Sequence, residues 1–255
     1  MNILNFFDHS VDGDFVIYRL RSGAWEQLID CLPNDFRICY IEDHELQAMA
    51  EKNELPACDC LEQHVLPDIG NIKSGDFGEM LGYFVVSENF NKKGLILFGP
   101  KKWQWKERNK PAPYSDCIFL RLATEGMASP DDLLVTVETK MKAVASANHR
   151  IQDAIDGATD DCLSRMAKTL NWLETKYARL GDKPNRVRAT RFKDPATYGE
   201  FQRRHKAIAI LDEQFEADEV GRAINNPEAV TVIVFSIAEL QRLYEETRIR
   251  VIASV

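Results

Sequence analysis

The sequence lacks the features that would place a protein in a membrane or outside the cell. No apolar run approaches the roughly 20 residues that a spanning helix needs. The opening stretch "MNILNFFDHSVDGDF" carries acids where a secretory leader keeps a long apolar core. No internal repeat or low-complexity tract is present, which excludes solenoids and long disordered arms. Cysteine is sparse: six residues lie scattered through 255, a chain long enough to bury a core without staples, so reduced thiols are expected. Positive charge is in deficit, 32 Lys and Arg against 40 Asp and Glu, for a net charge of −8. That balance excludes coating nucleic acid or anionic membrane by bulk charge, but leaves room for a local basic groove. His9, His44, His149 and His205 have no Ser or Cys nearby in a triad-like setting. Cys58, Cys60 and His64 lack a fourth ligand for zinc. The expectation is a soluble, cytoplasmic protein with no membrane partner.

What is present reads as alternating short strands and helices. "DFVIYRL" and "FRICYIE" read as strands, with "GAWEQLIDCL" and the capped "DHELQAMAEKN" as helices. "LPDIGNIKSG" brings a proline and two glycines without periodicity, so a boundary is placed there. Residues 1–66 are then an N-terminal α/β extension, and residues 67–255 the main domain. Phe77, Met80, Leu81, Phe84 and Val85 follow at helical spacing. "KGLILFG", "KKWQWK", "DCIFLRL" and "LLVTVETK" read as strands, and the chain from Lys140 to Gly181 as helical. "RHKAIAILDEQF" and "AVTVIVFSI" are later strands, and "AELQRLYEETRIRVIA" a closing helix. The fold class is a mixed α/β sheet flanked by helices.

Glu-Thr-Lys occurs twice, and the backbone under each copy decides its use. In "LLVTVETKMKA" Val135 and Val137 alternate with polar residues, so Glu138 and Lys140 project side by side from one strand face. In "LNWLETKYARL" Leu170, Leu173 and Tyr177 recur at helical spacing, and Glu174 and Lys176 diverge toward solvent. Only the first copy can act as a unit. Asp116, opening the preceding strand, adds a second carboxylate. Two acids and a lysine on adjacent strands suit phosphodiester hydrolysis, in which carboxylates hold Mg²⁺ and a lysine offsets charge on the phosphate.

The order of blocks "GDFGEMLGYFVV", "PKKWQWK", "YSDCIFLRL" and "LLVTVETKMKA" resembles the PD-(D/E)xK nuclease superfamily, and within it the HamA family of the Hachiman anti-phage system. The resemblance implies a restriction-endonuclease-like core and a Mg²⁺-dependent (or Mn²⁺-dependent) deoxyribonuclease acting in defence, held in check by the helicase HamB. It implies Asp116 and Glu138 as metal ligands with the carbonyl of Thr139 as a third, Lys140 as the catalytic lysine, and Glu79 as a helix-borne acid that helps hold metal. Asp76-Phe-Gly-Glu79 equally fits a capping box, with Asp76 as N-cap.

From Lys92 to Lys110 seven Lys and Arg stand against one acid, with Trp103 and Trp105 interleaved. Alternation puts Lys102, Gln104 and Lys106 on one strand face; Lys102 and Lys106, with Lys101 beside them, are the candidate DNA contacts. Lysines at such a place also protect an edge strand from aggregation. A second basic cluster, from Lys183 to Lys206, reads as a proline- and glycine-punctuated loop, solvated by default. The rival functions are a catalytically degenerate scaffold or DNA-binding subunit of the same fold, and an RNase of similar architecture.

Overall fold

The computed structural model describes residues 3–91, 97–98, 102–224 and 227–255. Its strands are β1 (Phe7–Asp12), β2 (Phe15–Leu20), β3 (Leu97–Phe98), β4 (Cys117–Arg121), β5 (Leu133–Lys142), β6 (Gln202–Asp212) and β7 (Val230–Ile237). They form one mixed sheet in the order β1-β2-β7-β6-β5-β4-β3. Strands β2, β7, β6 and β5 run parallel in turn, and β1, β4 and β3 add antiparallel at the two ends.

Helices α1 (Trp25–Tyr40), α2 (Asp43–Asn53), α3 (Ala57–Cys60) and α4 (Gly70–Asn91) precede β3, and the single turn α5 (Lys102–Trp105) follows it. The parallel crossover from β5 to β6 holds α6 (Arg150–Asp160), α7 (Met166–Leu180), α8 (Lys183–Lys193) and α9 (Pro195–Tyr198). Helix α10 (Glu216–Arg222) lies between β6 and β7, and α11 (Leu240–Ala253) closes the chain. No described helix is long and apolar enough to cross a membrane.

The period of two along each strand sorts the core into two layers. Val135, Val137, Ile208, Ile210 and Phe235 pack with Leu28 and Phe36 of α1, Phe77 and Met80 of α4, and Leu243 of α11. Their neighbours Ala207, Ala209, Val232 and Val234 pack on Ile151 and Ile155 of α6. Farther along, Ile118, Leu120 and Leu134 meet Leu170 and Leu173 of α7 and Phe192 of α8. The sheet is thus covered on both faces. The first 66 residues share this sheet through the β2–β7 pairing, and share its core through α1.

Four expected elements differ. The strand "FRICYIE" is the second half of α1, which runs through Pro33. Leu28, Ile29, Leu32 and Phe36 continue one buried helical stripe past the proline, and their packing outweighs its missing donor. The strand "KKWQWK" is the turn α5. Residues two apart diverge on a helix, so Trp103 enters the α4 side of the core while Trp105 reaches Trp172 and Tyr177 of α7. The loop read over Lys183 to Lys206 is helices α8 and α9 leading into β6. After Lys140 the chain stays extended to Lys142 and becomes helical only at Arg150. Gly181 does end α7, in the left-handed conformation with φ of 70°.

Candidate active site

Antiparallel pairing sets Cys117 opposite Val137, and so carries Asp116 to the end of β5 where the Glu-Thr-Lys stands. Asp116 Oδ2 accepts a 2.7 Å hydrogen bond from the Thr139 backbone N–H. Close approach of helix α4 is made possible by glycine: a Cβ on Gly82 would stand 2.7 Å from Thr139 Oγ1. That contact brings Glu79, three residues earlier, to the same end of β5. Glu79, Asp116, Thr139 and Lys140 line one cleft of about 210 Å³, with Asn71, Ser74, Gly75 and Gly78 of α4 and Arg150 of α6 completing its wall.

On the face of β5 opposite the Thr139 side chain, Glu138 points toward α6, where Gly157 leaves it room: a Cβ there would stand 2.6 Å from the carboxylate. It is 3% exposed. Its Oε1 is ion-paired with Lys140 Nζ, and its Oε2 accepts from Arg165 Nη2 at 2.9 Å. Burial, and then the charge of Asp116, push the Glu138 carboxyl up to about 7 against the pull of these two cations. For Lys140 burial acts downward, but Asp116, Glu138 and Glu79 outweigh it and hold the ammonium raised. Lys140 is therefore a fixed cation at neutral pH, not a proton acceptor.

The sequence reading missed Arg165 and the buried network behind it. Arg165 Nε is ion-paired to Asp161 Oδ1 at 3.0 Å, and the same oxygen accepts from Ser115 Oγ at 2.8 Å. Asp161 is fully buried. It thereby joins the residue before Asp116 to the arginine that holds Glu138. Arg165 lies in a π-helical turn (Asp161–Arg165) between α6 and α7. No local pattern in the sequence distinguishes it from the other charges of that helical run.

The remaining expected residues divide. Asp76 does not cap α4, which begins at Gly70. It is buried inside the helix, accepting from Lys106 Nζ at 2.6 Å and from Tyr40 Oη at 3.0 Å. The Lys106 side chain is 2% exposed, so its charge is committed to Asp76 rather than presented on a strand face. Glu79 is freed from the capping reading and accepts from Trp103 Nε1 at 3.2 Å. Lys102 opens α5, and Lys101 lies outside the described residues. The second Glu-Thr-Lys is helical as expected, yet its charges are engaged rather than solvated. Glu174 binds Lys193 of α8 at 2.6 Å, and Lys176 Nζ donates to the Trp105 carbonyl at 3.2 Å.

The acids at the cleft, Asp116 and Glu79, share one opening and offer carboxylate oxygens, the donor chemistry that suits Mg²⁺ or Mn²⁺. As the side chains stand, no three His, Cys, Asp or Glu among the described residues are gathered to hold a metal ion. Glu138 is kept apart by its two cations. No curated protein matches the chain. A family model, HamA, matches residues 5–250. With all but the two ends of its 255 residues matched, the chain belongs to the HamA family of anti-phage defence proteins.

Proposed function

We propose that the chain is a metal-dependent nuclease that hydrolyses DNA phosphodiesters as the effector of its defence system, held in check by the helicase HamB. The observation that carries this reading is the convergence of Asp116, Glu79 and Lys140 on one cleft, with Glu138 directly bonded to Lys140. Asp116, Glu79 and Glu138, with the carbonyl of Thr139, are the residues that would hold the metal. A divalent cation bound there supplies a water of lowered pKa and neutralises charge on the phosphate. Lys140, kept protonated by the surrounding acids, offsets the negative charge of the scissile phosphate and orients the attacking water. Arg165, held by Asp161, fixes the Glu138 carboxylate against the turn between α6 and α7. HamA family membership supports the defence role and the helicase partner. A free chain of net charge −8 binds DNA weakly, which suits a nuclease whose partner delivers its substrate.

The test is plasmid cutting by the purified chain, with and without the helicase, in Mg²⁺ or EDTA. Cutting is expected in Mg²⁺ alone, and Glu138→Ala with Lys140→Ala should lower it by roughly 100-fold or more. A double variant that cuts at the wild-type rate would remove the site assignment. A wild type that binds DNA without cutting would favour the scaffold reading, and cutting of RNA alone the ribonuclease.

A further inference from the structure

Among the described residues, many of the basic side chains singled out by sequence or site are already committed inside the protein. Lys106 is buried on Asp76. Lys140 and Arg165 share Glu138. The basic helix α8 is tied to acids along its length: Arg186 and Lys193 to Glu174, Arg188 to Glu125, and Arg191 to the buried Asp132. A nucleic-acid backbone needs a cation that can leave its present partner cheaply.

Arg150 meets that need. It lines the cleft beside Lys140, Asp116 and Glu79. Its Nη1 donates to Asp153 at 3.0 Å, while its Nε, buried from water, has no acceptor. Both side chains of this pair are partly exposed, 29% and 39%, so the pair is weak and its guanidinium under-satisfied. The backbone beneath it is firmly placed. Glu219, 1% exposed, accepts from the Ile151 N–H at 3.1 Å and from Lys142 Nζ at 2.7 Å. The start of α6 is thus fixed to β5 only two residues beyond Lys140. The facing wall of the cleft is neutral and small, Asn71, Ser74 and Gly75, with open space where a Gly75 side chain would be.

We infer that Arg150 is a second phosphate-contacting residue of this cleft, its guanidinium taking a backbone phosphate next to the one cleaved. The inference rests on the nuclease reading. A guanidinium presents a planar fork that matches two phosphate oxygens, which an ammonium cannot do.

The experiment compares wild type, Arg150→Gln, Arg150→Lys and Asp153→Asn for binding of a labelled DNA duplex across a salt series, and for kcat and KM of cutting in Mg²⁺. Arg150→Gln should raise Kd and KM about tenfold with little change in kcat, and lower the slope of log K against log salt by about 0.9. Arg150→Lys should keep the slope and lose part of the affinity. Asp153→Asn, which releases the guanidinium without removing it, should bind as well as wild type or more tightly. An Arg150→Gln protein with unchanged slope and KM overturns the inference while leaving the nuclease reading intact. So does an equal loss of binding in Arg150→Gln and Asp153→Asn together with a lower melting temperature, which would mark the pair as structural. A wild type that neither binds nor cuts DNA overturns both.

Discussion

Glu138 concentrates the site's electrostatics in one side chain. Its ordinary pKa is 4.5, and in the fold it stands at about 7. A carboxyl whose folded pKa lies above its unfolded one holds its proton more tightly when folded. Its contribution to stability is therefore full below about 4.5 and is lost as pH rises through about 7. The difference corresponds to about 3 kcal/mol. Glu138→Gln keeps the neutral form at every pH. Without metal it should be more stable than wild type at pH 8, by up to about 3 kcal/mol, and level with it below pH 4.5. Urea unfolding in EDTA at the two pH values measures this. A variant less stable than wild type at pH 8 would mean that Lys140 and Arg165 hold the anion more strongly than burial opposes it. The strand period made Glu138 and Lys140 legible as a pair, because residues two apart on β5 share a face. Arg165 was not legible, since nothing local states which face of a later helix will cover a strand end. Lys106 was misread because its alternation with Trp103 and Trp105 imitates a strand.

Elements meet at this site through missing side chains. Helix α6 passes Glu138 at Gly157, and α4 passes Thr139 at Gly82. Gly157→Ala gains helix propensity of about 1 kcal/mol but forces a methyl to within 2.6 Å of the Glu138 carboxylate. The net effect should be a loss of about 1–3 kcal/mol, accompanied by loss of cutting as Glu138 is displaced. Gly75→Ala, within α4 with nothing nearby, should instead stabilise by about 0.5–1 kcal/mol. Unfolding curves of the two variants side by side check the contrast, and equal stabilisation by both would show that Glu138 has other room. Strands β4 to β7 were legible because each is a short apolar run bounded by breakers or charges. The second half of α1 was not, because Pro33 reads as a stop and only its packing on the sheet carries the helix through. The place of the N-terminal hairpin was equally hidden. Phe15 to Arg19 pair with Val232 to Ser236, more than 200 residues away, and no local pattern encodes such a pairing.

At the scale of the whole molecule, acids outnumber bases, and three of them, Asp116, Glu79 and Glu138, approach one end of β5. In the metal-free protein burial, and then the charge of Asp116, raise the proton affinity of Glu138, so the two carboxylates repel. A divalent cation that binds only the folded chain would relieve this repulsion and stabilise the entire fold through mass action. At a hundredfold excess over its dissociation constant the gain is about 2.7 kcal/mol. The melting temperature should therefore climb with Mg²⁺ and level off only logarithmically. Asp116→Asn should flatten that climb, because it removes a carboxylate that lines the cleft. Lys140→Ala should preserve or steepen it, because it removes the cation on Glu138 Oε1 and frees that oxygen. Both variants should fail to cut, so the melting curves separate loss of metal from loss of the lysine's own role. Titration calorimetry of the same proteins decides the point: equal Mg²⁺ binding by wild type and by Asp116→Asn with Glu138→Gln would place the metal elsewhere and leave these carboxylates a structural role.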